Sequence, residues 1–184
     1  MLQRLPILPK KYRKNRAYVS LDDAKTLIHA FVFSRLDYCN ALFSGLPKKS
    51  TDRLQLVQNA AARVLTKTRM RDHITPVLAS LHWLPVVFRI DFKILLLVYK
   101  ARNGLAPSYL SDHVSNYVPH RHLRSATADL LDVPKMKYKK YGKSAFCFYG
   151  PTAWNELPLY LRRAPSVDIF KAQLKTYFYS LAFT

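Results

Sequence analysis

Apolar residues return every three or four positions along most of this chain, and proline or glycine interrupts each run. That pattern calls for a set of helices, each with one face to bury. Ser20 is a good N-cap. Asp23 stands three residues on, and Asp22 and Asp23 both fall in the first turn, where the helix dipole favours acids. Ala24, Leu27, Ile28, Phe31, Val32 and Leu36 then repeat at helical spacing, so a first helix is expected to about Phe43, with Gly45 and Pro47 ending it. A second is expected from Ser50 or Thr51 to about Thr66, with Leu54, Val57, Ala61, Val64 and Leu65 as its stripe.

Thr75-Pro76 pairs an N-cap with proline at the first helical position and opens a short helix through Leu81. Pro85 opens the next, from Val86 to Arg102, which Asn103-Gly104 stops. Phe88, Phe92, Leu95, Leu96 and Tyr99 are its expected buried face, and so apolar a helix suits a central position. Pro107-Ser108-Tyr109-Leu110 reads as another short helical start. Leu130, Leu131 and Val133 read as one strand, limited by Pro134, and Ala145 to Tyr149 as a second, with a basic turn ending near Gly142 between them. Ser166 caps a last helix on which Phe170, Leu174, Tyr177, Phe178 and Leu181 form the stripe, with Lys171 and Lys175 on another face. The expected fold is therefore mainly α, a helical bundle with a small antiparallel β-hairpin in the C-terminal third. Residues 1–19 read as a flexible basic arm and 20–118 as a helical domain. Residues 119–184 read as a basic hairpin segment and C-terminal helix on the same core.

The chain can build a core, since 49% of its 184 residues are hydrophobic and 13% aromatic. Its charge favours a polyanionic partner over the plain reading that basic proteins are simply soluble and sticky. The formal net charge is +19 and the pI near 10.1, an excess that self-repels in a compact state and that polyanions relieve. The charge is also clustered. Lys135, Lys137, Lys139, Lys140 and Lys143 interleave with Tyr138 and Tyr141, a pattern in which lysines neutralise phosphates and tyrosine rings stack on unpaired bases. A solvated hairpin loop is the plain alternative. Arg121 and Arg124 would extend the patch if the chain folds back there. Lys10, Lys11, Arg13 and Lys14 in the arm suit a phosphate clamp or a nuclear localisation signal, or simply a solvated tail.

Few residues have the arrangement that catalysis needs. The adjacent acids Asp22-Asp23 sit at a helix start with no aromatic-x-Asp-Asp strand around them, so capping outweighs two-metal chemistry. Asp37 and Asp91 lie in helical patterns where ion pairing, with Arg35 or Arg89, is the expected role. The histidines are His29, His73, His82, His113, His120 and His122. His120, His122 and Cys147 could supply three ligands but in no zinc spacing, so phosphate contact or plain exposure is favoured and no metal and no cofactor is expected. Cys39 follows Tyr38 on a helix and reads as core. Two cysteines are too few for a disulfide scaffold and suit a reducing compartment. There is no phosphate-cradling glycine loop. Trp83-Leu84-Pro85 and Trp154-Asn155 read as anchors of turns, with base stacking as the sharper alternative. Ile94 to Val98 is far short of the roughly 20 residues that span a bilayer. Arg4, Pro6 and Pro9 break the apolar start, so it is not a signal peptide. The expected location is nuclear or cytoplasmic, with no secretion and no membrane partner.

Several words occur in one order along nearly the whole chain, from about Tyr18 to Phe183. They include Leu36-Asp37-Tyr38-Cys39-Asn40, Leu54-Gln55 with Val57-Gln58-Asn59, His73-Ile74-Thr75-Pro76, and Leu81-His82-Trp83-Leu84-Pro85. Arg89-Ile90-Asp91-Phe92-Lys93, Gly104-Leu105-Ala106-Pro107 and Pro151-Thr152-Ala153-Trp154-Asn155-Glu156-Leu157-Pro158 follow. Together they resemble the region after the polymerase in LINE-type (non-long-terminal-repeat) retrotransposon reverse transcriptases of the jockey-like group. The first sixteen residues depart from that pattern. The resemblance implies an origin in an RNA-directed DNA polymerase whose catalytic carboxylates lie upstream of this stretch, and element RNA as the family's template. The expected function is a non-catalytic nucleic-acid-binding remnant, with RNA slightly favoured over DNA and possible pairing with a polymerase domain supplied in trans. The alternatives are a scaffold piece that docks on the missing polymerase, or a relic reading frame without selected function.

Overall fold

A computed structural model describes residues 18–119, 128–136 and 142–184. Among these the chain is mainly helical. The helices are α1 (Leu21–Ile28), α2 (Ser34–Asp37), α3 (Lys48–Thr66), α4 (Thr75–Ser80) and α5 (Val86–Arg102). They continue with α6 (Ser108–Ser111), α7 (Phe146–Asn155), α8 (Leu159–Arg162) and α9 (Val167–Phe183). A π turn, His29–Phe33, joins α1 to α2, and a 3-10 turn covers Asn40–Phe43. The chain divides into two compact units. The first takes residues up to Asn40, Pro47–Arg89 and Tyr179–Thr184, and the second takes Ala41–Leu46 and Ile90–Phe178.

In the first unit the caps follow the sequence. The Ser20 hydroxyl accepts from Asp23 N–H at 3.1 Å and donates to the Asp23 carboxylate at 2.7 Å. The buried stripe differs from the simple helical one. Ala24, Ile28, Val32 and Leu36 are buried, but Phe33 replaces Phe31, which is 48% exposed. The π turn is the reason. Its Ser34 N–H reaches back to the His29 carbonyl, and an i→i+5 turn holds about one residue more than an α turn, which advances the buried face by one position. Cys39, expected in the core, is exposed, because the helix ends at Asp37 and Cys39 takes a left-handed φ of 51°.

Helix α3 starts at Lys48, earlier than the serine and threonine signals, and ends at Lys67 with φ 58°. It buries Leu54, Ala61 and Leu65, together with Gln58 at 0% exposure. Gln58 Nε2 donates to the Leu84 carbonyl at 2.9 Å, and the Gln55 Oε1 accepts from Val86 N–H at 2.8 Å. Two glutamines one helical turn apart thus satisfy the backbone of the Trp83-Leu84-Pro85 turn, which would otherwise enter the core unpaired. Trp83 is 7% exposed and meets Phe33 edge-on at 4.6 Å between ring centroids. Asp37 receives Arg89 through both its oxygens, one at 2.9 Å from Nε and the other from Nη2. This is the bidentate pair that a guanidinium fork favours.

Among the described residues the second unit shows no β-hairpin, and that expectation is corrected. Ala145 is the N-cap, and Phe146 to Asn155 are helical. A short apolar run does not reveal its own period. Here it is resolved by packing: a Cβ on Gly150 would lie 2.9 Å from Val98 Cγ2, so the glycine admits α5 to close contact. Leu131 instead makes an isolated antiparallel bridge with Asn116. Its other backbone edge is taken by the Asn155 side chain. Asn155 Oδ1 accepts from Leu131 N–H at 2.8 Å, and Nδ2 donates to the Leu131 carbonyl at 2.9 Å. One amide side chain therefore stands in for a strand neighbour. Trp154 is 0% exposed, donates from Nε1 to the Asp129 carbonyl at 3.0 Å, and lies 5.8 Å from the Phe170 ring. Phe170 stacks on Tyr99 at 4.5 Å, and the Tyr99 hydroxyl donates to the Ala164 carbonyl at 2.8 Å.

On α5 the face buried below the surface is Ile90, Ile94, Leu95, Val98 and Tyr99, while Phe88, Phe92 and Leu96 are half-buried. The period was right, and its phase lay about one residue off. Helix α9 buries Phe170, Leu174 and Phe178 as expected and leaves Leu181 56% exposed.

Candidate nucleic-acid interface

Lys135 and Lys143 bracket the basic and aromatic segment, and both are exposed. Between them, Met136 lies against Gly142, where a Cβ would meet the methionine Cβ and Cγ at 3.2 Å. The two lysines therefore flank a point where the chain leaves and returns in close proximity. The return is fixed by Ser44, whose hydroxyl donates to the Ser144 carbonyl at 2.9 Å. Gly45 beside it has φ +66°, and a Cβ there would stand 2.7 Å from Ser144 Cβ. Only glycine satisfies both the left-handed turn and the close approach. Lys137, Tyr138, Lys139, Lys140 and Tyr141 lie outside the described residues, as do Arg121, Arg124, Lys10, Lys11, Arg13 and Lys14.

Both tryptophans are withdrawn from any such surface. Trp83 and Trp154 are buried with their rings against other aromatics, so each anchors a turn and neither offers a face to a base. Asp22 and Asp23 sit at the start of α1, where Asp22 pairs with Lys25 at 3.0 Å and Asp23 completes the cap. Among the described residues no group of three or more His, Cys, Asp or Glu side chains is placed to hold a metal ion. Among them, too, no helix is long and apolar enough to cross a membrane.

Among the described residues Asp91 does not form the ion pair expected of it. Its carboxylate accepts from the Tyr149 hydroxyl at 2.7 Å. Burial pushes its pKa up, the tyrosine hydrogen bond opposes this, and the Glu156 charge adds to the rise. Burial first, then the bond to Asp91, also raises the Tyr149 hydroxyl. A carboxyl whose pKa is raised by folding binds its proton more tightly folded than unfolded. Its contribution is therefore most favourable below the unfolded carboxylate range and declines as pH rises through the folded pKa. Asp91→Asn keeps an acceptor for Tyr149 and removes the charge. Thermal melts should show the variant more stable than the parent at pH 7, with the gap closing toward pH 3.

A feature that the sequence reading missed lies in the second unit. Asp129 receives Arg102 Nη2 at 2.7 Å and Arg163 Nε at 2.8 Å, and these bonds, Arg163 first, hold its carboxyl below the usual range. Arg162 stands within electrostatic reach of all three. The only signal in the sequence was the doublet Arg162-Arg163, which says nothing of Arg102 sixty positions earlier. No family model, curated protein or solved structure matches the chain.

Proposed function

We propose that this chain is a non-catalytic nucleic-acid-binding module, descended from the region behind the polymerase of a LINE-type retrotransposon reverse transcriptase. The observation that carries the reading is the net charge of +19, together with the cluster Lys135, Lys137, Lys139, Lys140 and Lys143, where lysines alternate with tyrosines and no acid intervenes. Exposed Lys135 and Lys143 at the base of that segment support it, because a phosphate contact requires a solvent-facing ammonium. RNA is slightly favoured over DNA as the ligand, and the site of action is nuclear or cytoplasmic. The words shared with the retrotransposon region act mainly as joints of the fold: Gln55 and Gln58 on the Trp83 turn, Asp37 on Arg89, and Asn155 on Leu131.

The test is fluorescence anisotropy of the full chain with labelled single-stranded RNA and duplex DNA across a salt series. Replacing Lys137, Lys139 and Lys140 by alanine should weaken binding equally for all sequences. It should flatten the log–log salt slope by about 3 on duplex DNA and about 2 on single strands. An unchanged slope removes the segment from the interface, and binding that vanishes for every ligand by ~150 mM salt leaves only generic charge attraction.

A scaffold reading has one observation in its favour. Tyr18, Leu42, Met70 and Val118 are each at least 77% exposed, apolar side chains that a docked partner would cover. Concentration-dependent self-association in sedimentation, without salt-resistant nucleic-acid binding, would favour it.

A further inference from the structure

In the second unit two guanidinium groups bond one carboxylate, and a third, Arg162, stands within electrostatic reach of it. Both Asp129 oxygens are engaged, Oδ1 by Arg102 and Oδ2 by Arg163. Arg102 Nη1 also lies 3.4 Å from the Arg162 carbonyl, which ties the arginine-bearing end of α5 to the end of α8. Arg162 itself has no acid. Its Nε and Nη1 are shielded from solvent and find no acceptor among the described residues. All eleven acidic residues of the chain fall within the described segments, so the remaining segments hold no side-chain carboxylate to complete the pair. The cluster therefore has three positive charges against one negative.

Two guanidinium nitrogens shielded from solvent with no acceptor carry a cost. Burial pushes the Arg162 pKa down; Asp129 opposes this, while Arg102 and Arg163 add to it. Arginine keeps its proton all the same. The surplus therefore persists as charge, and an anion is what removes it. We propose that Arg162, with Arg102 and Arg163 beside it, forms an oxyanion site that takes a phosphate group. Phosphate suits the chemistry on two counts. Its tetrahedral oxygens accept paired N–H bonds from a guanidinium fork, and its charge near neutral pH matches a surplus of about two. Arg163, with its side chain 53% exposed, opens the cluster to solvent. Asp129 acts as the positioning residue: it fixes Arg102 and Arg163 and, with both oxygens used, leaves Arg162 for the ligand. The site uses none of the lysines of the basic segment, so the proposal stands whether or not that segment binds nucleic acid.

The experiment is thermal unfolding of the full chain in inorganic phosphate against chloride at matched ionic strength. For the parent, phosphate at ten times its Kd should raise Tm by about 3–6 °C. Arg162→Met should melt higher than the parent in chloride, because the unpaired charge is gone, and should lose most of the phosphate response. Arg162→Lys keeps the charge without the fork and should retain only part of it, which provides a second reading if the methionine variant does not fold. The Lys137, Lys139 and Lys140 alanine variant should keep the whole response. A second arm replaces phosphate with single-stranded RNA bearing hydroxyl ends. An Arg162-dependent shift there identifies backbone phosphodiesters as the source, and a shift with phosphate alone identifies a small phosphate ligand. The proposal is overturned if phosphate does not shift the parent, or shifts both Arg162 variants as much as the parent.

Discussion

Replacing Trp154 by alanine is expected to cost about 3–5 kcal/mol of unfolding free energy, the largest single effect in the chain. The ring is fully buried and sits at the junction of three elements: Tyr99 on α5 is 6.4 Å away, Phe170 on α9 is 5.8 Å away, and the Asp129 carbonyl takes its N–H. The Arg102 guanidinium also lies over its face at 5.5 Å. Alanine leaves a cavity, an unpaired carbonyl and an arginine without its aromatic support. Trp154→Phe separates these terms. It keeps most of the packing but removes the donor, so the cost should fall to about 1–3 kcal/mol, the penalty for an orphaned buried acceptor. Urea unfolding followed by circular dichroism measures both. RNA affinity should be unchanged in the phenylalanine variant, since a ring at 0% exposure stacks on nothing outside the core. A loss of affinity at constant stability would return Trp154 to the binding surface.

Asn155 should be nearly as sensitive, and its sensitivity should depend on pH. It is the only described side chain that both accepts from and donates to the Leu131 backbone, and Leu131 is 2% exposed. Asn155→Ala leaves a buried N–H and a buried carbonyl without partners, an expected loss of about 2–4 kcal/mol. Asn155→Asp is the sharper test. The ionised carboxylate still accepts from Leu131 N–H, but its other oxygen faces the Leu131 carbonyl and repels it. Protonated, the same group has one donor and one acceptor and reproduces the amide. The introduced carboxyl therefore has a raised pKa in the folded state. Its native-like bonding is fully present below the unfolded carboxylate pKa and is lost as pH rises through the folded value. The stability gap between variant and parent should narrow as pH falls from 7 to 4. A gap that stays constant with pH would mean that the Nδ2 donor contributes nothing.

The same residues show how far the sequence could be read. The words Trp154-Asn155 and Gln55 with Gln58 were visible as words, but their partners were not. Leu131 lies twenty-four positions before Asn155, and Leu84 twenty-six after Gln58. Nothing local announces which backbone edge an amide will satisfy. The Asp129 cluster was hidden for the same reason, since Arg102 reaches it from the end of α5 and Arg163 from the turn after α8. The candidate lysines were found from composition alone, because charge clustering is a property of the sequence and needs no fold to be seen.

What the sequence determined by itself was the helical class, the bounds of α5, the start of α9, and the deepest residues of two stripes: Leu54, Ala61 and Leu65 on α3, and Phe170, Leu174 and Phe178 on α9. Those rest on interactions within four residues: the Ser20 cap, the i, i+4 spacing of apolar side chains, and the stops at Gly104 and the prolines. Tertiary structure decided the rest. Phe146 to Tyr149 became helix because Gly150 lets α7 approach Val98. Phe33 entered the core in place of Phe31 because a π turn advanced the face by one residue. Where a short apolar run or a single-residue shift leaves local energies nearly equal, distant packing contacts select the outcome.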